Sequence, residues 1–189
     1  MDLSKFKNKK FLSISLVVLV LLGAVVFIFV RNSPSGSDPC APALEDGVIS
    51  GISMAGILEN GQSFSADMSY YKCHTPQKGD IVLYNLTNYD GTKILAKMVK
   101  AVPGDIVSFA KATSTTQTWW HLYINGVLQK NSRGEEYLLD ERAYSGVLKP
   151  YSGPIRGYLI LANVRVGAED STQYGLVFPN DFLGKIIKY

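Results

Sequence analysis

An uninterrupted apolar run near the N-terminus constrains this chain more than any other feature. Residues 11–30 read FLSISLVVLVLLGAVVFIFV and contain no charged residue. With a helical rise of about 1.5 Å per residue, the run covers roughly the 30 Å hydrocarbon core of a bilayer. The sequence therefore predicts a transmembrane anchor over residues 11–30, and only the rest of the chain has to fold as a globular domain.

A cleaved secretory signal is the alternative interpretation of this run. Residues 41–43 read APA, which fits the small-x-small pattern of a cleavage site. The apolar core of a secretory signal is about 7 to 15 residues long, and this run is longer. Its length therefore favours a retained anchor.

The charges beside the run predict its orientation. Residues 1–10 contain four lysines and one aspartate, whereas only Arg31 follows the run at once. This lysine bias places residues 1–10 in the cytoplasm and the domain outside it, on a single-pass protein of the inner or plasma membrane. Without these ten residues the chain has 15 basic and 15 acidic residues. The anchor makes the lipid bilayer a predicted partner. Because the rest of the chain has balanced charges, a nucleic acid is not expected as a partner.

The segment after the run is predicted to be a linker. Residues 31–44 begin RNSPSGSDPCAP, which is rich in Ser, Pro and Gly and has no hydrophobic period. Cys40 lies in this segment, and Cys73 is the second cysteine of the chain. An even pair of cysteines in an oxidising compartment predicts a Cys40–Cys73 disulfide, with two free thiols as the alternative.

Residues 45–189 are predicted to form a mainly β domain. Short runs rich in Val, Ile, Leu, Tyr and Trp alternate with Gly, Pro, Asn and Asp, as strands and turns do. The predicted strands are GDIVLYNL (79–86), KILAKMVKAV (93–102), GDIVSFA (104–110), TWWHLYI (118–124), YLILANVRV (158–166) and YGLVFP (174–179). Asn125-Gly126 predicts a tight hairpin, and a short helical turn is expected around DFLGKIIK or just after Ser53.

Serine chemistry is the most specific activity that the residues indicate. The chain has no glycine-rich nucleotide motif and no cysteine–histidine cluster, so neither a cofactor nor a metal is predicted. His74 and His121 are isolated, which argues against a serine–histidine pair. A buried lysine is the other base that can activate a serine such as Ser53. Lys97 and Lys100 lie on opposite faces of one predicted strand with aliphatic neighbours on both, and the period leaves the choice open.

The order of several short motifs resembles that of the type I signal peptidases, which are membrane-anchored serine/lysine proteases that remove signal peptides from exported proteins. The matching motifs are Gly51-Ile52-Ser53-Met54, Gly79-Asp80-Ile81-Val82, a lysine six residues before Pro103-Gly104-Asp105, LYINGV (122–127) and Asp170-Ser171 ahead of Gly175. The resemblance implies a signal-peptidase-like β domain over residues 45–189. Residues 106–157 would be an inserted β region, and one N-terminal transmembrane helix would precede the domain.

The resemblance also implies roles for individual residues. Ser53 matches the nucleophile, and Lys97 matches the general base by its spacing to the Pro-Gly-Asp turn. The backbone N–H of Ser53 would help to hold the oxyanion, and Gly51 lies where some members carry a serine as a second donor. The residues that would support the active site are Arg165, Asp170 and Ser171.

Some positions depart from the family pattern. Met54-Ala55-Gly56-Ile57 replaces Met-x-Pro-Thr, and Ala162-Asn163-Val164-Arg165 replaces Gly-Asp-Asn-Arg. Thr172 replaces an arginine that usually pairs with the aspartate, and Ala168 replaces a serine. The motifs VKAVPGD and DSTQYGLV resemble the conjugative-transfer branch, which matures pilin subunits.

Two functions follow from the resemblance. The first is a serine endopeptidase that cleaves precursor proteins after small residues, for exported proteins in general or for one dedicated precursor such as a pilin. The second is an inactive, membrane-anchored relative that binds such precursors as an assembly factor. The sequence does not predict an oligomeric state.

Overall fold

A computed structural model describes residues 38–88, 91–112 and 117–189. The predicted cytoplasmic segment, the predicted anchor over 11–30 and the first half of the predicted linker lie outside the described residues. Within the described ranges, none of the helices has the length and apolar character that crossing a bilayer requires. Residues 39–189 form one compact unit.

This unit is mainly β, as the sequence predicts. In chain order its described strands are β1 (Leu44–Val48), β2 (Ser63–Asp67), β3 (Ile81–Asn88), β4 (Gly91–Ala101), β5 (Ile106–Ala112), β6 (Trp119–Ile124), β7 (Val127–Leu128), β8 (Leu138–Leu139), β9 (Gly153–Pro154), β10 (Leu159–Leu161) and β11 (Phe182–Lys188). The helical elements are short: α1 (Tyr70–Cys73), α2 (Ser171–Tyr174), a π-helical turn (Arg142–Leu148) and two 3-10 turns (Lys149–Tyr151 and Pro179–Asp181).

The first sheet holds the strand that carries both candidate lysines. Its order is β1-β2-β11-β3-β4-β10, and every pair in it is antiparallel. β3 and β4 form a long hairpin in which Lys97 lies opposite Val82. Val82 and Val99 are fully buried, because β4 is covered on both edges by β3 and β10. Lys97 therefore lies in the middle of an internal strand.

The second sheet is built from residues 106–154 and has the order β7-β6-β5-β9, with β8 also pairing with β6. Asn125 and Gly126 connect β6 to β7 with φ values of 51° and 77°. Positive φ at both central residues is typical of the type I′ turn, which matches the twist of a hairpin. The predicted tight hairpin is therefore confirmed.

The Pro103-Gly104-Asp105 motif forms the turn that joins the two sheets. The N–H of Asp105 donates to the carbonyl of Val102 at 3.0 Å, and Gly104 has a φ of 94°, as a Pro-Gly type II turn requires. The Asp105 carboxylate accepts from the N–H of Val102 at 2.8 Å and from Asn125 Nδ2 at 2.7 Å. The turn thus sets the position of β4, and of Lys97 in it, relative to the second sheet.

Two local predictions near the C-terminus are wrong. Residues 174–179, predicted as a strand, contribute only an isolated bridge between Val177 and Tyr158, and Pro179 then begins a 3-10 turn because proline cannot donate to a ladder. Of the two places where a short helical turn is expected, the segment after Ser53 forms one, with the N–H of Leu58 donating to the carbonyl of Met54, whereas DFLGKIIK is strand β11. Its residues alternate between buried and half-buried with a period of two, and Gly184 allows close contact with the carbonyl of Asp67.

A disulfide joins Cys40 to Cys73 at the start of the described chain. The two Cα atoms are 5.7 Å apart, and the bond links the segment before β1 to helix α1. Ser69 holds the same segment, because its hydroxyl donates to the carbonyl of Ala41 at 2.6 Å. The chain therefore enters the domain at a covalently fixed point.

The adjacent tryptophans of β6 face different surroundings. Trp120 packs against the core of the second sheet and stacks on Tyr144 with ring centroids 4.3 Å apart. Trp119 lines a crevice that Arg142 and Arg165 also line. Successive side chains of a strand point to opposite faces, which accounts for this difference.

Candidate active site

Ser53 lies in a tight turn between β1 and β2. The turn is closed by hydrogen bonds from the N–H of Ala55 to the carbonyl of Ile52 at 3.0 Å and from the N–H of Leu58 to the carbonyl of Met54 at 2.9 Å. Met54 is 2% exposed and Leu58 is fully buried, so these two apolar side chains attach the turn to the core. Ser53 itself is half-buried and lines an open cleft.

The side chain of Lys97 reaches this serine from β4. Its Nζ donates to Ser53 Oγ at 3.0 Å and to the carbonyl of Ala96 at 3.0 Å. Lys97 is only 2% exposed, although it is one of the largest side chains in the interior. The fold thus brings together two residues that are 44 positions apart in the sequence.

Burial lowers the pKa of Lys97 below its ordinary value of 10.5, because the charged ammonium loses its hydration. The carboxylates of Asp170 and Glu169 oppose this shift by favouring the ammonium, but the burial effect is the larger. A lysine in this position therefore has an increased fraction of neutral amine near neutral pH, which is the form that can accept a proton.

Lys100 provides an internal comparison on the same strand. Burial lowers its pKa as well, so the pKa alone does not distinguish the two lysines. Its Nζ, however, donates to the carbonyl of Lys130 at 3.0 Å and lies 5.2 Å from the ring centroid of Tyr137. The geometry pairs Ser53 with Lys97 and engages Lys100 elsewhere.

The backbone of the turn supplies a free donor beside the nucleophile. The N–H of Ser53 donates to no acceptor among the described residues. The N–H of Gly51 donates to Asn60 Oδ1 at 2.8 Å and is therefore already engaged. Gly51 has a φ of 102°, and a Cβ there would meet no atom within 4 Å, so backbone conformation rather than space favours glycine.

Asp170 and Ser171 connect helix α2 to strand β10. The Asp170 carboxylate caps α2, accepting from the N–H of Thr172 at 2.8 Å and from its hydroxyl at 2.6 Å. It also accepts from the N–H of Ala162 at 2.9 Å, and Ser171 Oγ accepts from the N–H of Ile160 at 2.9 Å. Burial raises the pKa of Asp170, and these hydrogen bonds oppose the shift.

Arg165 does not join this cluster. It is exposed, and no described carboxylate lies within ion-pair distance of its guanidinium. The residue follows β10 in a solvent-facing turn, and its backbone carbonyl accepts from the N–H of Leu138 at 3.3 Å. The hydroxyl of Thr172 instead satisfies the buried carboxylate of Asp170.

The cleft beside Ser53 has a volume of about 320 Å³ and is lined by edge strand β1, by the nucleophile turn and by β4. Its walls are mostly apolar, and Glu45 and Asp46 lie at its acidic end. The apolar residues that line it are Val48, Ile49, Met54, Phe64, Ala66, Met68, Leu83, Ile94, Leu95 and Ala96. Among the described residues, no group of three or more His, Cys, Asp or Glu side chains is placed to hold a metal ion.

Sequence reasoning missed two polar residues that contact the nucleophile turn. Asn163 is 3% exposed, its N–H donates to the carbonyl of Ser53 at 2.7 Å, and its Nδ2 donates to the carbonyl of Ala55 at 2.7 Å. Ser132 donates through its hydroxyl to the carbonyl of Gly56 at 3.5 Å. The available signals for Asn163 were its polar side chain shortly after an apolar run and its place in the departure from the Gly-Asp-Asn-Arg pattern.

Comparisons with known proteins identify the family of the chain. The family model described as "Signal peptidase, peptidase S26" matches residues 9–188. Signal peptidase IB of Staphylococcus aureus, in strains Mu50, N315 and MW2, is 26% identical over 155 residues, which covers 73% of this chain and 73% of the relative. Since the family match spans most of the chain, this protein belongs to the signal peptidase family, peptidase S26.

Proposed function

We propose that the protein is a membrane-anchored serine endopeptidase that removes signal peptides from exported precursors, with Ser53 as the nucleophile and Lys97 as the general base. The contact of 3.0 Å between Lys97 Nζ and Ser53 Oγ carries the proposal, because the amine that makes it is almost completely buried. Burying a lysine costs free energy, so a buried lysine with a lowered pKa indicates a functional role.

In the acylation step, the neutral amine of Lys97 accepts the proton of the Ser53 hydroxyl while Oγ attacks the scissile carbonyl carbon. The carbonyl oxygen becomes an oxyanion, to which the free N–H of Ser53 can donate. The intermediate then collapses: the bond to the leaving nitrogen breaks, and the Lys97 ammonium gives that nitrogen its proton. The products are an ester on Ser53 and the released amine.

In the deacylation step, the regenerated neutral amine takes a proton from water while the water oxygen attacks the ester carbonyl. Collapse of the second intermediate returns the proton to Ser53 Oγ and releases the carboxylic acid, which then loses its remaining proton to solvent water. Protons balance over the cycle, and no group outside the dyad, the backbone donor and water is required.

The cleft gives the proposed substrate a place to bind. Strand β1 lies at the edge of its sheet, so its free backbone groups can pair with an extended peptide. The apolar walls next to Ser53 are consistent with small apolar side chains at the first and third positions before the cut. The predicted anchor over 11–30 would hold the enzyme in the same bilayer as the apolar segment of its substrate and raise their effective concentration.

The alternative, an inactive relative that binds precursors, derives from the departures from the family pattern near residues 162–172. The arginine that usually pairs with the aspartate is absent, but the N–H of Ala162 and both donors of Thr172 satisfy Asp170. This arrangement supports an active enzyme. A dedicated precursor such as a pilin is the narrower proposal, supported by the motifs VKAVPGD and DSTQYGLV.

The test is cleavage of a precursor by the full chain in membranes or detergent micelles. We expect Ser53→Ala and Lys97→Ala each to abolish cleavage, because each removes one member of the dyad. Lys100→Ala is the matched control: it removes a lysine with a lowered pKa from the same strand and should retain cleavage. Full cleavage by either dyad variant would refute the assignment, and the precursor that accumulates uncut in cells lacking the protein would identify the substrate.

A further inference from the structure

We infer that Asn163 is a positioning residue that, together with Ser132, clamps the nucleophile turn of residues 53–56 in its reactive geometry. The inference deepens the proposed peptidase function and rests on it. Asn163 does not touch the dyad side chains, so its effect would pass through the backbone that carries Ser53.

The clamp consists of hydrogen bonds to three carbonyls of the turn. The N–H of Asn163 donates to the carbonyl of Ser53 at 2.7 Å, and its Nδ2 donates to the carbonyl of Ala55 at 2.7 Å. The hydroxyl of Ser132 donates to the carbonyl of Gly56 at 3.5 Å. Asn163 follows β10, and β10 pairs with β4, the strand that carries Lys97. The clamp thereby connects the turn between β1 and β2 to the strands that position Lys97.

Asn163 and Ser132 also hold each other. Asn163 Nδ2 donates to Ser132 Oγ at 2.6 Å, and Asn163 Oδ1 accepts from the N–H of Ser132 at 2.8 Å. Asn131 adds a bond from its Nδ2 to the carbonyl of Asn163 at 3.3 Å. All donors and acceptors of the Asn163 side chain therefore face defined partners, which fixes the rotamer of a residue that is only 3% exposed.

Two departures from the family pattern meet in this clamp. Gly56 stands where the type I signal peptidases carry proline, and Asn163 stands where they carry aspartate. Gly56 has a φ of 88°, which proline cannot adopt, and a Cβ there would lie 3.2 Å from both Asn163 Nδ2 and Ser132 Oγ. An aspartate at 163 could not donate to the carbonyl of Ala55. The two departures are thus structurally coupled, because the positive φ of Gly56 and the amide donor of Asn163 are both part of the clamp.

The consequence for catalysis is geometric. Ser53 Oγ must lie within reach of both Lys97 Nζ and the scissile carbonyl, and a displacement of about 1 Å can cost on the order of a hundredfold in rate. Loss of the clamp should therefore lower kcat. KM should change little, because only Ser53 and Met54 of the residues that line the cleft belong to the clamped turn. The pH midpoint of kcat/KM should also stay in place, because Asn163 does not set the burial of Lys97.

The test uses the full chain in detergent micelles and a synthetic precursor peptide with alanine at the first and third positions before the cut. Asn163→Ala keeps the main-chain bond to Ser53 and removes the side-chain bonds to Ala55 and Ser132. We expect it to lower kcat by roughly ten- to a hundredfold, with KM within about twofold of the wild type. Asn163→Asp, although nearly isosteric, should be at least as slow because it loses the donor. Ser132→Ala should have a smaller effect, and Asn180→Ala, which changes an exposed asparagine, should have none.

Hydrogen exchange at the amides of Ala55, Ile57 and Leu58 provides a second readout that needs no activity. These three N–H groups close the turn, and their exchange should accelerate in Asn163→Ala and not in Asn180→Ala. A wild-type kcat or unchanged exchange in Asn163→Ala would overturn the clamp while leaving the peptidase assignment intact. If the wild type failed to cleave, the proposed function would fall, and exchange alone would still decide whether the clamp holds the turn.

Discussion

The buried amine of Lys97 should make both stability and activity depend on pH in a linked way, and Lys97→Met isolates that dependence. Lys97 is 2% exposed, and burial lowers its pKa in the folded protein, whereas the unfolded chain should titrate near the ordinary value of 10.5. Methionine has a similar length, packs well in a core and does not titrate.

The sign and the size of the effect follow from proton linkage. Between the folded-state pKa of Lys97 and 10.5, the unfolded chain binds one proton that the folded protein does not. The free energy of unfolding therefore rises with pH in this window, by about 1.4 kcal/mol per pH unit for one lysine. Above pH 10.5 the buried lysine no longer lowers the free energy of unfolding, and below its folded-state pKa this lowering has its full size. Lys97→Met lacks this slope. Lys100 contributes equally to both proteins and cancels in the difference.

The measurement is denaturant unfolding of the full chain in micelles, followed by tryptophan fluorescence at several values between about pH 6 and pH 10. The difference in unfolding free energy between wild type and Lys97→Met should change with pH and level off below the folded-state pKa. The acid limb of kcat/KM for the wild type should have its midpoint at that same pH, because it reports the free enzyme's base. Parallel stability curves for the two proteins, or a kinetic midpoint at a different pH, would refute the reasoning.

Two further predictions concern the supports of the site. Replacing both Cys40 and Cys73 by serine opens a loop with a sequence separation of 33, which should lower the unfolding free energy by about 4 kcal/mol and Tm by roughly 8 to 16 °C. A thermal scan with and without reductant checks this, and an unchanged Tm would contradict it. Thr172→Val removes the hydroxyl that donates to the buried carboxylate capping α2, and should lower the unfolding free energy by about 1 to 3 kcal/mol. Thr87→Val, at an exposed position near the end of β3, is the control, and equal losses in both variants would argue against a special role for Thr172.

The short motifs were informative because each has a local physical reason. Pro103-Gly104 requires the type II turn that they form, Asn125-Gly126 requires the type I′ hairpin, and alternating aliphatic residues in β4 require an internal strand. These local rules placed the main strands of the domain. These rules failed at β11, because four hydrophobic residues around a glycine fit a helix as well as a strand. Pairing of this segment with β2 and β3 makes it a strand.

The sequence by itself determined the mainly β class, the motif order and the residue types needed for serine–lysine chemistry, because turns and strand periods depend on neighbours in the chain. It left Lys97 and Lys100 equivalent by period, since both lie in an apolar strand. The motif order favoured Lys97, and only tertiary packing shows the contact itself, with Nζ of Lys97 at 3.0 Å from Ser53 Oγ. The same holds for Asn163, whose bond to the carbonyl of Ala55 spans 108 positions. Contacts over such separations depend on how the sheets and turns meet, and no local pattern records them.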